Sequence, residues 1–345
     1  MRQYDHGGDV YAGQRIEHDF SVNINPLGMP SPVRAAVIAH LNEYETYPDS
    51  LCRALKNTIS VHDGVKREQI VCGNGAADLI WRLCAALRPK QVLVSVPTFT
   101  EYERTAVHFG ANIQQYPLNM AEHFPLTEQI CSEITENTDL MFLCNPNNPT
   151  GRLIQPSVLA SVAKRCHQTG TLLVVDECFL PFTEGISAQP LMEHNDRIVI
   201  LRAFTKLYAM AGLRLGYLVS ANDEVLDKTE REAQCWSVSG VAQSAGIAAM
   251  HCVGIAEKTR RVIAGERVFL TDGLMKLGFG VCPSEANFLL FTCEQPLKEP
   301  LLAKGILIRS CTDFVGLDER YYRVGIRLRA ENEALLTALG EVLHG

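Results

Sequence analysis

Short apolar runs alternate with helical patterns through the middle of the chain. The apolar runs cover residues 70–72, 92–96, 140–144, 172–175, 198–201 and 215–219. Helix-period patterns over 76–87 and around 157–167 separate some of these runs. Near-continuous apolar strands that alternate with helices are typical of a mostly parallel sheet buried on both faces. The pattern therefore predicts an α/β fold in which ligands bind beyond the carboxyl ends of the strands.

The two ends of the chain have other patterns. Residues 1–30 show no clear periodicity, and a helix is predicted over about 32–41. After about residue 236 helices dominate, including a long charged one that starts at 255. Strand-like runs then cover 287–292, 306–309 and 322–326, and a last helix is predicted over about 331–343. These changes predict an N-terminal arm (1–40) that contributes to the functional site and to a small domain, a large domain (41–235), and a small α+β C-terminal domain (236–345).

Composition and charge narrow the class of protein. Of the 345 residues, 47% are hydrophobic and 21% are charged, which fits a folded chain with a sizeable core. The formal net charge of −7 argues against a general nucleic-acid binder. The 12 cysteines include no C-x-x-C pair, so we expect no zinc site. The N-terminus lacks the apolar core of a signal peptide, and no apolar stretch approaches membrane-spanning length. We therefore expect a cytoplasmic protein without a membrane partner.

Lys206 and Arg214 carry the clearest chemical signal. Lys206 follows the apolar run 198–201, and Arg214 comes eight residues later. A lysine at the buried end of a strand loses hydration, so its neutral amine becomes available as a nucleophile. The arginine could hold a phosphate. The spacing fits a Schiff-base lysine beside a phosphate site, although most lysines are solvated surface charges.

Three further segments follow predicted strands. Asp176 ends the run 172–175 and is either a turn residue or a buried carboxylate that pairs with a heterocyclic nitrogen. Asn148, in a turn bounded by prolines, is either a loop residue or a donor to a ring hydroxyl. The small residues at 73–76 open a helix, where backbone amides can bind a phosphate. They match neither the P-loop nor the G-x-G-x-x-G pattern, so nucleotide binding is not indicated.

The order of these motifs resembles a known family. Gly-Asn-Gly, Asn-Pro-x-Asn-Pro-Thr-Gly, Asp-Glu-x-Phe, Thr-Lys and Gly-Leu-Arg-Leu-Gly follow one another in this order. The order is similar to that of pyridoxal-phosphate enzymes of fold type I, the aspartate aminotransferase superfamily, over essentially the whole chain. The resemblance implies a large domain with a mostly parallel seven-stranded sheet that binds pyridoxal 5'-phosphate, and a small α+β C-terminal domain.

The resemblance also implies a role for each motif. Lys206 forms the Schiff base, Asp176 pairs with the pyridine nitrogen, and Asn148 contacts the ring hydroxyl. Further cofactor contacts are implied for Phe99, Thr205, Arg214 and the amides of Gly75 and Ala76. Tyr47 resembles a tyrosine that reaches the cofactor phosphate from the other subunit, which implies a homodimer. Two positions depart from the pattern: Ala203 stands where many relatives have a hydroxyl residue, and Phe179 where many aminotransferases have a tyrosine.

The ends of the chain resemble one group within the superfamily, the threonine-phosphate decarboxylases of cobalamin biosynthesis. The similarity lies in 6–8, 19–28, 308–311, 316–318 and 320–324. It implies decarboxylation of L-threonine O-3-phosphate, with L-serine O-phosphate as another possible substrate. The substrate contacts that it implies are His6, Gly7, Asn23, Asn148, Arg309 and Arg323. Arg323 is assigned to the carboxylate, and Arg309 with His6 to the phosphate.

Two other functions fit the same residues. Histidinol-phosphate aminotransferases share the two arginines at the positions of Arg309 and Arg323, but not the early His-Gly-Gly element. A protein that kept the fold only for binding is the alternative from another class. The intact set of Lys206, Asp176 and Arg214 argues against it. The residue that returns a proton to the substrate stays open between Lys206 and a tyrosine.

Overall fold

A computed structural model describes residues 6–11, 13 and 15–344. The first five residues of the predicted N-terminal arm lie outside this range. The strands in chain order are β1 (His18–Asp19), β2 (Ile70–Gly73), β3 (Gln91–Val96), β4 (Asn112–Pro117), β5 (Leu140–Cys144), β6 (Leu172–Asp176), β7 (Ile198–Ala203), β8 (Gly216–Ser220), β9 (Gly280–Val281), β10 (Phe288–Thr292), β11 (Ile306–Leu307), β12 (Arg309–Ser310) and β13 (Tyr321–Gly325). The helices are α1 (Ser31–Ala39), α2 (Arg53–Asp63), α3 (Ala76–Leu87), α4 (Glu101–His108), α5 (Pro156–Thr169), α6 (Phe204–Leu207), α7 (Asp223–Arg231), α8 (Gly240–Met250), α9 (Ile255–Lys276), α10 (Lys298–Ala303) and α11 (Arg329–His344).

A seven-stranded sheet forms the centre of the fold. Its order is β2-β8-β7-β6-β5-β3-β4, and only β8 runs antiparallel to its neighbours. All six predicted apolar runs form strands of this sheet, with ends within two residues of the prediction. The predicted α/β fold with a seven-stranded, mostly parallel sheet is confirmed.

The side chains of the central strands are buried on both faces of this sheet. In β5, Met141 and Leu143 pack into one hydrophobic cluster, whereas Leu140 and Phe142 pack into a second one. Successive side chains of a strand point to opposite faces, so both faces need a cover of helices. The continuous apolar runs in the sequence follow directly from this double burial.

The C-terminal part forms a second, antiparallel sheet of order β12-β13-β10-β9. The predicted single strand over 306–309 is wrong, because β11 and β12 belong to different sheets. β11 pairs in parallel with β1, and β12 pairs with β13. The N-terminal arm therefore lies against the C-terminal part, where Gly325 N also donates to Phe20 O over 2.7 Å.

Two other elements differ from the predictions. The first helix ends at Ala39 rather than near 41, and residues Leu41–Glu45 form a 3-10 turn. β4 was not predicted, because it is a polar edge strand whose side chains are mostly accessible. Among the described helices, none combines the length and the apolar character that a membrane crossing requires.

Candidate active site

The carboxyl ends of the central strands open onto a cavity of about 450 Å³. Most predicted site residues line this cavity: His6, Gly7, Asn23, Ala76, Phe99, Asn148, Asp176, Thr205, Lys206, Arg214, Arg309 and Arg323. Gly75 and Tyr47 do not. Tyr47 is 77% exposed and stacks on Trp236 with 4.2 Å between ring centroids. Residues more than 300 positions apart in sequence thus meet at one place.

Lys206 lies in α6, directly after β7, and its partly buried side chain lines the cavity. Burial lowers the pKa of its amine to about 8, and the positive charges of Arg323 and Arg214 act in the same direction. The Asn25 amide donates to Lys206 O over 3.1 Å, so the N-terminal segment holds the backbone of this lysine. The neutral, nucleophilic form of the amine is therefore easier to reach near neutral pH than for a solvated lysine.

Asp176 ends β6, and two neighbours hold its carboxylate. The Tyr102 hydroxyl donates to Oδ2 over 2.7 Å, and the Cys178 amide donates to Oδ1 over 2.9 Å. Burial raises the pKa of Asp176, while these hydrogen bonds from Cys178 and Tyr102 oppose the rise. Tyr102 is fully buried and stacks on Phe142. The carboxylate is thus fixed at the cavity floor, where it can pair with a protonated ring nitrogen.

The start of α3 and Arg214 form a cradle for a phosphate. Gly75 precedes α3 with φ +87°, and a Cβ there would lie 2.5 Å from Arg214 Nη2. The Gly75 amide donates to Gly73 O over 2.8 Å, so what Gly75 provides is room for the arginine. The first helical amide, Ala76, and Thr205 line the cavity beside Arg214. This combination of helix N-terminus, hydroxyl and guanidinium fits a phosphate group.

Arg323 on β13 connects the cofactor end of the cavity to the N-terminal arm. Its guanidinium donates to Asn148 Oδ1 and, over 2.9 Å, to Ser21 O. The Asn148 amide nitrogen is then the donor available to a ring hydroxyl. Burial lowers the pKa of Arg323 to about 10, and Arg309 adds to this effect by repulsion.

Two buried polar atoms at this end have no hydrogen-bond partner within the described part of the chain. They are Arg323 Nε and Asn23 Oδ1, and both residues line the cavity. Buried polar groups are normally satisfied, so two unsatisfied atoms on residues that line one cavity favour a polar ligand there.

Arg309 and His6, which are predicted to bind the substrate phosphate, each have a carboxylate neighbour that the sequence did not reveal. Arg309 Nη2 donates to both Asp313 oxygens, over 2.7 and 2.6 Å, and its guanidinium lies 5.3 Å from the Phe314 ring. His6 Nε2 lies 2.9 Å from Glu101 Oε1. Each pair therefore sets a carboxylate beside a residue that is predicted to bind the substrate phosphate.

The two departures from the family pattern are both present at the site. Ala203 and Phe179 line the cavity, and neither side chain can donate a hydrogen bond. The Lys206 amine lies 5.7 Å from the Phe179 ring. In this chain Phe179 therefore forms an apolar wall beside the lysine, and it packs edge-on against Phe288 with 5.1 Å between ring centroids.

A second cavity, of about 590 Å³, has a different character. Arg202 donates to Asp63 Oδ2 over 2.6 Å and to Glu177 Oε2 over 3.0 Å, so the charges that line this cavity pair with one another. Within the described ranges, no group of three or more His, Cys, Asp or Glu side chains is arranged to hold a metal ion. The chemistry is concentrated at the first cavity.

Comparisons with known proteins identify the family of the chain. The family model for aminotransferase class I and II matches residues 16–339. The chain is 39% identical over 332 residues to a threonine-phosphate decarboxylase of Salmonella typhimurium, covering 95% of this chain and 91% of that protein. The structure of a histidinol-phosphate aminotransferase from Clostridium acetobutylicum superposes with a TM-score of 0.88 at 31% identity, covering 95% of this chain and 99% of that one. A histidinol-phosphate aminotransferase from Sinorhizobium meliloti, solved in complex with pyridoxal 5'-phosphate, shares the fold with a TM-score of 0.88 at 22% identity, covering 96% of this chain and 92% of that one.

Proposed function

The chain belongs to the aminotransferase class I and II family, and from this premise we propose that it decarboxylates L-threonine O-3-phosphate with pyridoxal 5'-phosphate as cofactor. The products are (R)-1-amino-2-propanol O-2-phosphate and CO2, and the amine phosphate would serve the cobalamin nucleotide loop. One observation carries the proposal. His6 and Gly7 of the N-terminal arm line the same cavity as Lys206, together with Arg309 and Arg323. The similarity to the Salmonella decarboxylase supports it.

The cavity offers a residue for each functional group of the cofactor. Lys206 would be the covalent anchor, Asp176 would pair with the ring nitrogen, and Asn148 would donate to the ring hydroxyl. Phe99 would pack against the ring. Arg214, for which Gly75 leaves room, would hold the phosphate together with Thr205 and the Ala76 amide. When bound, pyridoxal phosphate acts as an electron sink for the electron pair released at the substrate Cα.

The residues of the chain orient the substrate for loss of CO2. Arg323 binds the carboxylate, because its buried guanidinium has an unpartnered Nε, and Asn23 lies beside the same end of the cavity. Arg309 and His6 bind the substrate phosphate at the mouth. With its carboxylate and its phosphate both held, the substrate cannot rotate about the bond between its amine nitrogen and Cα. This fixed orientation favours cleavage of the bond from Cα to the carboxylate. CO2 leaves, and Lys206 Nζ returns one proton to Cα.

We propose that two chains form the functional unit, with Tyr47 of one subunit reaching the cofactor phosphate of the other. The large exposure of Tyr47 and its position outside the cavity of its own chain support this role. We also propose a division into an arm (1–40), a large domain (41–235) and a small domain (236–345). The pairing of β1 with β11 supports the part of this proposal in which the arm joins the small domain. All 12 cysteines are free, which supports a reducing cytoplasm.

The direct test is incubation of the enzyme with L-threonine O-3-phosphate and pyridoxal phosphate, without an oxo-acid. Stoichiometric release of CO2 and of the amine phosphate supports the proposal. No CO2, together with transfer of the substrate amine to an oxo-acid once one is added, would refute it. A competition assay between threonine and serine phosphates then ranks the two substrates, since one methyl group is worth only about 1–3 kcal/mol of discrimination.

A second function, transamination of histidinol phosphate, is supported by the similarity to the Clostridium structure. The same incubation with histidinol phosphate and an oxo-acid tests it. The binding-only alternative predicts that no absorbance band near 400–430 nm disappears on borohydride reduction, whereas a lysine-bound cofactor predicts that such a band does.

A further inference from the structure

Glu101 contacts both His6 and Arg104 at the active-site cavity. It is the first residue of α4, and its Oε1 lies 2.9 Å from both His6 Nε2 and Arg104 Nη1. All three side chains line the cavity. The Glu101 side chain is only 14% exposed, whereas that of His6 is 48% exposed. Burial opposes ionisation, but the hydrogen bonds from His6 and Arg104 lower the pKa of Glu101 below its usual value.

Ser21 holds the other end of the segment 6–8. The Gly8 amide donates to Ser21 Oγ over 2.7 Å, and a Cβ on Gly7 would lie 2.2 Å from Ser21 O. That same carbonyl oxygen accepts from Arg323 over 2.9 Å. The segment 6–8 is therefore held beside the cavity at two points. One is Ser21, which contacts the proposed carboxylate-binding arginine, and the other is Glu101.

We propose that Glu101 is a positioning residue that acts as a latch. It holds segment 6–8 over the cavity and orients His6 toward the substrate phosphate. A carboxylate repels a phosphate, so Glu101 acts through His6 and does not touch the substrate. This inference rests on the proposed phosphorylated substrate.

The test compares Glu101→Gln with Glu103→Gln in the holoenzyme. Glu103 lies two residues further along the same helix, outside the cavity, and accepts from Gln115 over 2.9 Å. Glu101→Gln is expected to raise KM for L-threonine O-3-phosphate about 3- to 10-fold, since His6 is half exposed. kcat and the cofactor absorbance should stay close to the wild-type values, and Glu103→Gln should change neither KM nor kcat.

Two further measurements separate a latch from a general structural effect. The double variant combines Glu101→Gln with His6→Ala. Its KM should be no higher than the larger KM of the two single variants, because both changes remove the same contact. Hydrogen exchange of the peptide containing Gly7 and Gly8 should be faster in Glu101→Gln and unchanged in Glu103→Gln. An unchanged KM in Glu101→Gln, fully additive effects, or unchanged exchange would overturn the proposal. If no variant and no wild type releases CO2, the proposed function fails, while the exchange measurement still decides on the latch.

Discussion

Replacement of Gly75 by alanine tests the phosphate cradle most sharply. The residue has φ +87° and ψ 168°, a region that essentially only glycine adopts at low cost. Forcing an alanine into it is expected to cost about 1–3 kcal/mol of stability. The new Cβ would also lie 2.5 Å from Arg214 Nη2, so the guanidinium must move. Loss of one charged hydrogen bond to the phosphate, about 1.5–3 kcal/mol, corresponds to a rise in the Kd for pyridoxal phosphate of about 10- to 150-fold.

Two assays on the apoprotein separate these effects: urea unfolding measures stability, and equilibrium dialysis measures the Kd for pyridoxal phosphate. Gly64→Ala is the matched control, because Gly64 follows α2 at φ +67° and has no atom within 4 Å of the added Cβ. This control should lose about 1–2 kcal/mol of stability and keep the wild-type Kd. Wild-type cofactor affinity in Gly75→Ala, or equal weakening in both variants, would refute the argument.

Three other changes test the remaining parts of the site. Tyr102→Phe removes a donor to the Asp176 anion, which raises the pKa of that carboxyl, so the cofactor absorbance should be lost at a higher pH on acidification than in the wild type; an unchanged midpoint would contradict this. The pKa of Lys206 falls from 10.5 to about 8 in the folded apoprotein, so the unfolded chain binds more protons between these values. The free energy of unfolding of the wild type should therefore increase relative to that of Lys206→Met as pH rises from 8 to 10.5. Urea unfolding of both apoproteins at several pH values measures this difference, and a difference that does not change with pH would contradict the lowered pKa. Arg323→Lys keeps the charge but loses the two-pronged geometry, so KM for L-threonine O-3-phosphate should rise about tenfold or more while the cofactor spectrum persists; a normal KM would remove Arg323 from the carboxylate site.

The central sheet was predictable because its strands are buried on both faces. A strand such as β5 is apolar at every position, and this signal does not depend on its neighbours. β4 lies at the edge, and its residues Asn112–Pro117 are half polar, so its sequence resembles a loop. Residues 306–309 form one strand-like run in the sequence. Its division between two sheets depends on β1 and β13, which lie far away along the chain.

The site residues differ in the same way. Some are marked by the sequence around them, and others depend on residues far away along the chain. Lys206, Asp176 and Asn148 follow strands and lie in ordered motifs, so their convergence at one edge could be predicted. Tyr102 and Glu101 contribute through partners 74 and 95 residues away in sequence. Nothing local marks such pairs, because a glutamate or tyrosine on a short helix is ordinary in composition.

The break between β11 and β12 sets a constraint on chain length. Gly305 O accepts from the arm, Ile306–Leu307 pair with β1, and Arg309–Ser310 pair with β13. Only Ile308 separates the two pairings. One residue added or removed at this point would turn the Arg309 side chain to the opposite face of its strand. Homologous enzymes that use an arginine here should therefore vary in the identity of these residues but not in their number, and insertions should be found elsewhere.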